Sequence, residues 1–281
     1  MRILVVGGGK SGSWKIRGEQ LGTAIGAHVR SYNVIQNLLG YDFVIAVKRI
    51  PNDFLNMIHK SGKPLIWDVV DAWPQPSMNT ANEHESVEWI RSELNRIRPN
   101  GVVYSTSKMM SDARYDASSI VLPHHAWPKY LVCRPSIRKD VKNVGYEGGP
   151  QYLGRWKYLI DKSCVKRGWS FVLNGDLSKC DIGLALRDCS GYPLKWWKSN
   201  CKLANLQALG LPSICSREHG MLSFSSGAEV FIDSPAELED SFDFLTSYET
   251  RLNISNTMYS SAVYLKDVAD KYKLWLSHLN F

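Results

Sequence analysis

The sequence predicts an α/β protein with two parallel sheets, on three observations. Short apolar runs alternate with helix-patterned segments through the first 125 residues. A proline-containing basic stretch, "AWPKYLVCRPSIRKDVK" (126–142), then breaks the alternation, and a second α/β series follows it. Repeated strand–helix units are the signature of parallel sheets covered by helices on both faces. A chain of 281 residues suits two compact domains or one large one.

The elements follow in order. "RILVV" (2–6) is a strand, and a helical stretch runs over about 18–30. "DFVIAV" (42–47) is a strand, "NDFLNMIHK" a helix and "PLIW" (64–67) a strand. After a polar loop, "ESVEWIRSELNRIR" places Val87, Ile90, Leu94 and Ile97 at helical spacing. "GVVYS" (101–105), a short helix and "SIVLP" (119–123) complete the first series. The second comprises "KNVGY", a helix through 150–167, "WSFVLN", "DIGLAL" and one helix over "KWWKSNCKLANLQALG". Its stripe is Leu203, Leu206 and Leu209, with Gly210 at the C-terminal cap. "LPSICS" and "AEVFI" are strands. "SPAELEDSFDFL" carries Ser234 as N-cap, Pro235 at the first helical position and Glu237 at the capping-box position. From about 256 onward Met258, Ala262, Leu265, Ala269, Tyr272, Trp275 and Leu279 predict one amphipathic helix to the end.

Composition narrows the function classes. Hydrophobic residues make up 44%, as in ordinary globular proteins. No apolar run approaches the roughly 18 residues of a membrane span. The N-terminus lacks the regions of a signal peptide, so a cytoplasmic protein is expected, in the host cytoplasm if viral. The six cysteines stand singly, without CxxC or metal-ligand spacing, and are expected to be reduced. Lys and Arg number 34 against 27 Asp and Glu, a net charge of +7. That balance suits anionic partners such as nucleic acid, an acidic membrane surface or phosphorylated small molecules.

Ligands of parallel sheets bind beyond the carboxyl ends of the strands. The loops there are 7–14, 48–51, 68–76, 106–108, 124–128, 146–151, 174–178, 187–195 and 216–227. Gly7, Gly9 and Gly12 satisfy G-x-G-x-x-G after a strand, yet no acidic residue follows at the ribose-binding distance of about 20 residues. A Walker loop is excluded, because Leu4 stands where its leading glycine belongs. "LIWDVVDAWPQP" puts Asp68 at a strand end and Asp71 one turn on, beside Trp73. Either carboxylate can accept or orient a hydroxyl proton, or cap the following turn. "LPHHAWP" supplies His124 and His125.

The second half shows a family likeness. "KSNCKLANLQALGLPSICSREHG" followed by "GAEVFIDSPAELEDSFDFL" resembles the donor-binding half of retaining GT-B glycosyltransferases. The matching residues are Lys198, Asn200, Lys202, Asn205, Ala208, Gly210, Pro212, Glu218, Gly220, Ser234, Glu237 and Leu238. "VGYEGG" (144–149) resembles the loop that opens that domain, and the family's usual paired glutamates reduce here to Glu218 alone.

The resemblance implies two Rossmann-like domains facing across a cleft: residues 1–135 for the acceptor and 136–255 for a nucleotide-sugar. Residues 256–281 form a helix returning to the first domain. It implies a metal-independent hexosyltransferase using a nucleotide-sugar, a UDP-sugar above all, as co-substrate and needing no cofactor; D-x-D is absent. Gly8, Gly9, Lys10, Ser11, Gly148, Lys198, Asn200, Lys202 and Glu218 become candidates for gripping the diphosphate and sugar. Asp68, Asp71 and His124 become candidates for catalysis. Arg17, Glu19, Trp73, His125 and Trp127 become candidates for the acceptor.

By size, charge and layout the chain resembles bacteriophage enzymes that glycosylate hydroxymethylated bases in DNA. Basic and aromatic residues interleave in "YLGRWKY", "KWWKSNCK" and "AWPKY", a pattern suited to phosphates and an extruded base. A lipid-linked or surface polysaccharide acceptor is the alternative, and a non-catalytic nucleotide-binding protein is a third reading. The chain is expected to be a monomer without membrane insertion.

Overall fold

The computed structural model describes residues 2–9, 11–71, 74, 78–131 and 134–279. Its contacts group the chain into two compact units. The first comprises 1–124, 191–199 and 264–281, and the second comprises 125–190 and 200–263. The sequence-based boundaries fall at 135 and 256.

The first unit carries a six-stranded parallel sheet. Its strands are β1 (Ile3–Gly7), β2 (His28–Ser31), β3 (Phe43–Val47), β4 (Leu65–Asp68), β5 (Gly101–Tyr104) and β6 (Ser118–Val121), in the order β2-β1-β3-β4-β5-β6. Every residue of β1, β3, β4 and β5 is buried, as strands covered on both faces must be. β2 was expected to be helix. It is a short edge strand, "HVRS", with no apolar run to mark it, and pairing with β1 decides its conformation.

Around the sheet lie α1 (Leu21–Ala24), α2 (Asn52–Ser61), α3 (Glu83–Ile97) and α4 (Ser107–Ala113). The start of α3 is a reciprocal capping box. The Glu85 amide donates to Asn82 Oδ1 at 2.9 Å and the Asn82 amide to Glu85 Oε2 at 3.1 Å. Ile90, Leu94 and Ile97 are buried as their spacing predicts.

The second unit carries a five-stranded parallel sheet in the order β11-β10-β9-β7-β8. The strands are β7 (Asn143–Tyr146), β8 (Ser170–Leu173), β9 (Ile182–Ala185), β10 (Ser213–Ser216) and β11 (Val230–Ile232). α5 (Arg155–Lys166), α7 (Cys201–Leu209), α8 (His219–Ser223), α9 (Ala236–Phe244) and α10 (Tyr248–Ser260) pack with it. α9 starts one residue later than its capping signals predict. Ser234 Oγ donates to Glu237 Oε1 at 2.7 Å, and the Asp233 amide donates to Oε2 of the same residue at 3.2 Å. The basic stretch after residue 134 is pinned to this unit by Arg138 on Asp181 at 2.6 Å. Buried Arg251 also donates to the carbonyls of Arg138, Lys139, Leu245 and Thr246.

Two helices expected to be continuous are each broken. "KWWKSNCKLANLQALG" divides into α6 (Tyr192–Trp196), part of the first unit, and α7, part of the second. The C-terminal stripe divides at 261–264 into α10 and α11 (Leu265–Ser277), again in different units. The first stripe, Leu203, Leu206 and Leu209, lies wholly in α7, whereas the C-terminal stripe continues across its break because each half has a core to enter. Met258 is buried in the second unit, and Val268, Ala269 and Tyr272 are buried in the first.

The first turn after β1 takes an uncommon form. Residues Trp14–Gln20 wind as a π-helix before α1 begins, a geometry usually confined to short bulges and often associated with function. Trp14 explains two of the nearby glycines. Its buried indole lies where a Cβ on Gly7 or on Gly18 would stand. Gly7 of the glycine fingerprint is therefore small for an indole. Gly18→Ala is expected to destabilise the protein by about 1–3 kcal/mol through overpacking, read as a lower urea midpoint. Trp14→Leu in the same chain should recover part of that loss.

Candidate functional sites

In each sheet the strand order reverses direction at one point, where loops part and ligands commonly bind. In the first sheet this is β1/β3, flanked by the glycine loop and Lys48. Lys48 holds a left-handed backbone (φ 68°), fixed by its amide on the Asp68 carbonyl at 2.8 Å and by Trp67 Nε1 on its own carbonyl at 2.6 Å. That backbone accompanies an ammonium 2.7 Å from Asp71 Oδ1. Lys198 Nζ lies 2.7 Å from Asp71 Oδ2, and Ser13 Oγ lies 3.3 Å from Oδ1. Asp71 is 9% exposed. Burial opposes its charge, but the two ammoniums outweigh that and hold its carboxyl well below the usual carboxylate range. Between the two aspartates, Val70 adopts φ 51° although β-branched and 1% exposed. Such strain costs on the order of 1–3 kcal/mol and persists only where packing enforces it.

Asp68 occupies a different environment. It is 1% exposed, and its Oδ2 lies 3.8 Å from Arg17 Nη1, which is itself buried. Arg17 Nη2 donates to the Leu122 carbonyl at 2.5 Å. Burial raises the Asp68 carboxyl, while the Arg17 charge and the Val70 amide pull it down. Tyr272 of α11 is buried within reach of both charges. His124 is buried at the end of the loop after β6, and its Nδ1 is 3.1 Å from Ser199 Oγ.

In the second unit the reversal falls at β7/β9. Gly148, at φ 144°, donates its amide to Asn174 Oδ1 at 2.7 Å, and a side chain there would run into Lys202 Nζ. Lys202 donates to the Glu147 carbonyl at 2.6 Å and sits 4.4 Å above the Tyr146 ring. Burial and the nearby Arg187 charge push its ammonium down to about 8. Arg187, the second residue after β9, makes a close, fully enclosed ion pair with Glu218. Glu218 also accepts from the Cys189 thiol at 3.5 Å. Glu147 takes Lys129 at 2.6 Å and Asn205 at 3.0 Å.

The structure thus brings some sequence candidates together and separates others. Lys198, read as a diphosphate ligand, pairs with Asp71, read as catalytic. Lys202 stands with Gly148, whereas Glu218 faces Arg187. Arg17, read as an acceptor contact, is enclosed with Asp68. Gly8, Gly9, Ser11 and Glu19 are exposed around the first turn. Asn200 is buried, its carbonyl accepting from the Ala204 amide at 2.9 Å at the start of α7. His125 is buried, and the Trp127 amide donates to Asn205 Oδ1 at 2.9 Å. Lys10 and Trp73 lie outside the described residues. Sequence reading passed over Lys48, Arg187 and Ser199. The first two follow strand ends and were open to the loop rule, while Ser199 carries no local signal. Among the described residues no group of three or more His, Cys, Asp or Glu is arranged to hold a metal. Among them no helix is long and apolar enough to cross a membrane.

No protein-family model matches the chain, and no curated protein matches it in sequence. Solved structures do. HepE of Anabaena in complex with UDP-glucose superposes with a TM-score of 0.69 at 12% identity, covering 99% of this chain and 100% of that one. A glycosyltransferase from Rickettsia africae gives 0.68 at 10%, covering 99% of each chain. WaaG, a glycosyltransferase involved in lipopolysaccharide biosynthesis, gives 0.60 at 11%, covering 96% and 98%. At such identities the likeness defines the fold. The chain has the GT-B architecture of two Rossmann-like units, with a C-terminal helix that belongs to the first.

Removing Arg17 alone would leave the Asp68 charge buried without its counter-ion. Arg17→Met is expected to cost about 3–5 kcal/mol in denaturant unfolding. Adding Asp68→Asn should return part of it, as a double-mutant cycle reads.

Proposed function

We propose that the protein is a glycosyltransferase that moves a sugar from a nucleotide-sugar to a hydroxyl acceptor. The observation that carries this reading is the group of cations at the strand reversal of the second unit. Lys202 is only partly exposed and beside an arginine, and the absence of a side chain at Gly148 lets that ammonium lie against the loop's backbone. A diphosphate leaving group needs concentrated positive charge and accessible amides, not a strong acid. Lys202 and the Gly148 loop would supply them, with Glu218, paired to Arg187, assigned to sugar or ribose hydroxyls. UDP-glucose, crystallised with HepE, supports a UDP-sugar as the donor.

On the first unit, Asp71 is the group suited to an acceptor hydroxyl. Held ionised by two lysines, it is a weak base but a strong hydrogen-bond acceptor that orients the attacking oxygen. His124, tied to Ser199, is a candidate proton carrier. Asp68, neutralised by Arg17, acts as an internal counter-charge. Gly8, Gly9 and Ser11 remain candidates for backbone and hydroxyl contacts to the donor.

For the acceptor we favour a lipid-linked or surface glycan over a DNA base. WaaG, a neighbour in fold, is involved in lipopolysaccharide biosynthesis and points that way. Trp156 and Trp197, two of the aromatics nominated for base stacking, are buried at 3% and 0% exposure. The net charge of +7 favours the DNA reading and keeps it testable.

The test is a panel of nucleotide-sugars with lipid-linked glycans and with plain and hydroxymethylated DNA, read by mass spectrometry. A hexose added to glycan alone supports the proposal, one added to DNA supports the second reading, and none with any acceptor overturns both. Binding gives a pH signature. Lys202 binds an anion only when protonated, so UDP affinity is expected to fall as pH rises through about 8. Lys202→Met should weaken UDP about tenfold at neutral pH and flatten that dependence.

A further inference from the structure

The stretch Gly191–Ser199 lies in the chain between two parts of the second unit yet is built into the first. Its anchoring is dense. The Tyr192 amide donates to the Ala81 carbonyl at 2.9 Å, Ser105 Oγ to the Trp197 carbonyl at 2.8 Å and Thr106 Oγ1 to the Trp196 carbonyl at 3.0 Å. Gly191 passes so close to the Asn79 backbone that no side chain fits there. At the centre stands Asp112 of α4, 7% exposed. Its Oδ2 accepts from Trp197 Nε1 at 2.8 Å and from the Tyr192 hydroxyl at 2.8 Å, and its Oδ1 is closely paired with Lys108. Trp197 is wholly buried, with Tyr192 edge-on at 6.0 Å.

The residues immediately after Trp197 are Lys198 on Asp71 and Ser199 on His124. Anchoring the backbone at Trp197 fixes where the next two residues leave the chain, and so the region that the Lys198 ammonium and Ser199 hydroxyl can reach. We propose that Asp112 and Trp197 form a latch that positions Lys198 against Asp71 and Ser199 against His124. They are positioning residues, remote from any reacting atom. This inference rests on reading Asp71 as the group that receives the acceptor hydroxyl.

Among the described residues, the charges near Asp71 are Lys48 from the loop after β3, Lys198 from the latched stretch and the Arg17–Asp68 pair at the base of its loop. Around Asp112 stand Lys108 on its own helix, Glu83 on α3 (3.4 Å from Lys108) and Arg91, whose Nε donates to the Asp112 carbonyl at 3.2 Å. Loosening the latch draws Lys198 away from Asp71, and the Asp71 carboxyl then binds a proton more readily. A merely structural role for Asp112 would lower stability without moving that titration.

The experiment follows the Asp71 carboxyl by ¹³C NMR, assigned with Asp71→Asn, in wild type, Trp197→Phe, Asp112→Asn and Lys198→Met. Trp197→Phe keeps an aromatic ring in the buried position while removing the indole N–H and some volume, so it carries the measurement if Asp112→Asn fails to fold. Both latch variants are expected to raise the titration midpoint in the direction of Lys198→Met. In sugar transfer, kcat should fall by on the order of tenfold while KM for the nucleotide-sugar stays within about twofold. The latch is overturned if its variants titrate like wild type while Lys198→Met shifts, or if Lys198→Met itself shifts nothing. Absence of transfer in wild type would sink the functional reading alone, because the titration needs no substrate.

Discussion

The Asp71 carboxylate, shared between the ammoniums of Lys48 and Lys198, is the interaction on which the first unit's site depends. A carboxylate at this burial is unstable alone and stable between two cations. The requirement ties together three distant parts of the chain: the end of β3, the loop after β4 and the stretch 191–199. Each arrives by a constrained backbone. Lys48 is held left-handed, Val70 is forced into φ 51° within the buried loop and Trp197 is clamped by Asp112. The result is a carboxylate whose charge is fixed by its protein partners and whose oxygens are held in place as hydrogen-bond acceptors.

The second unit solves the opposite electrostatic problem. There the excess is positive. Arg187 is matched by Glu218, but Lys202 meets a carbonyl and a tyrosine ring, and its charge is destabilised by burial. A cation kept in a poor environment gains most when an anion joins it. The same loop contains Gly148, where a side chain would displace that ammonium. One unit therefore holds an anion compensated by two cations, and the other a cation whose charge burial destabilises.

Much of the fold was legible from pattern. Buried strands announce themselves as apolar runs, and β1, β3, β4 and β5 were found for that reason. α3 and the Gly210 cap followed from spacing and cap chemistry. β2 was missed because an edge strand of four mixed residues has no signal apart from its pairing partner. The two broken helices were read as continuous because periodicity records that a face is apolar and not which core receives it. Within the glycine loop, Gly7 answers to the Trp14 indole, a contact seven residues away that no motif encodes.

Sequence alone determined that the chain has two parallel α/β units, that its unusual residues cluster at the carboxyl ends of strands and that its charge favours anionic ligands. Those properties are written in local periodicity and composition. Tertiary structure decided the partners within the protein: Lys198 with Asp71, Arg17 with Asp68, Glu218 with Arg187. Partnership between charges depends on distances across 31 to 127 positions of chain, fixed by sheet order and by the stretch that leaves one unit to join the other. Burial then sets which of those charges stay compensated and which remain available to a ligand.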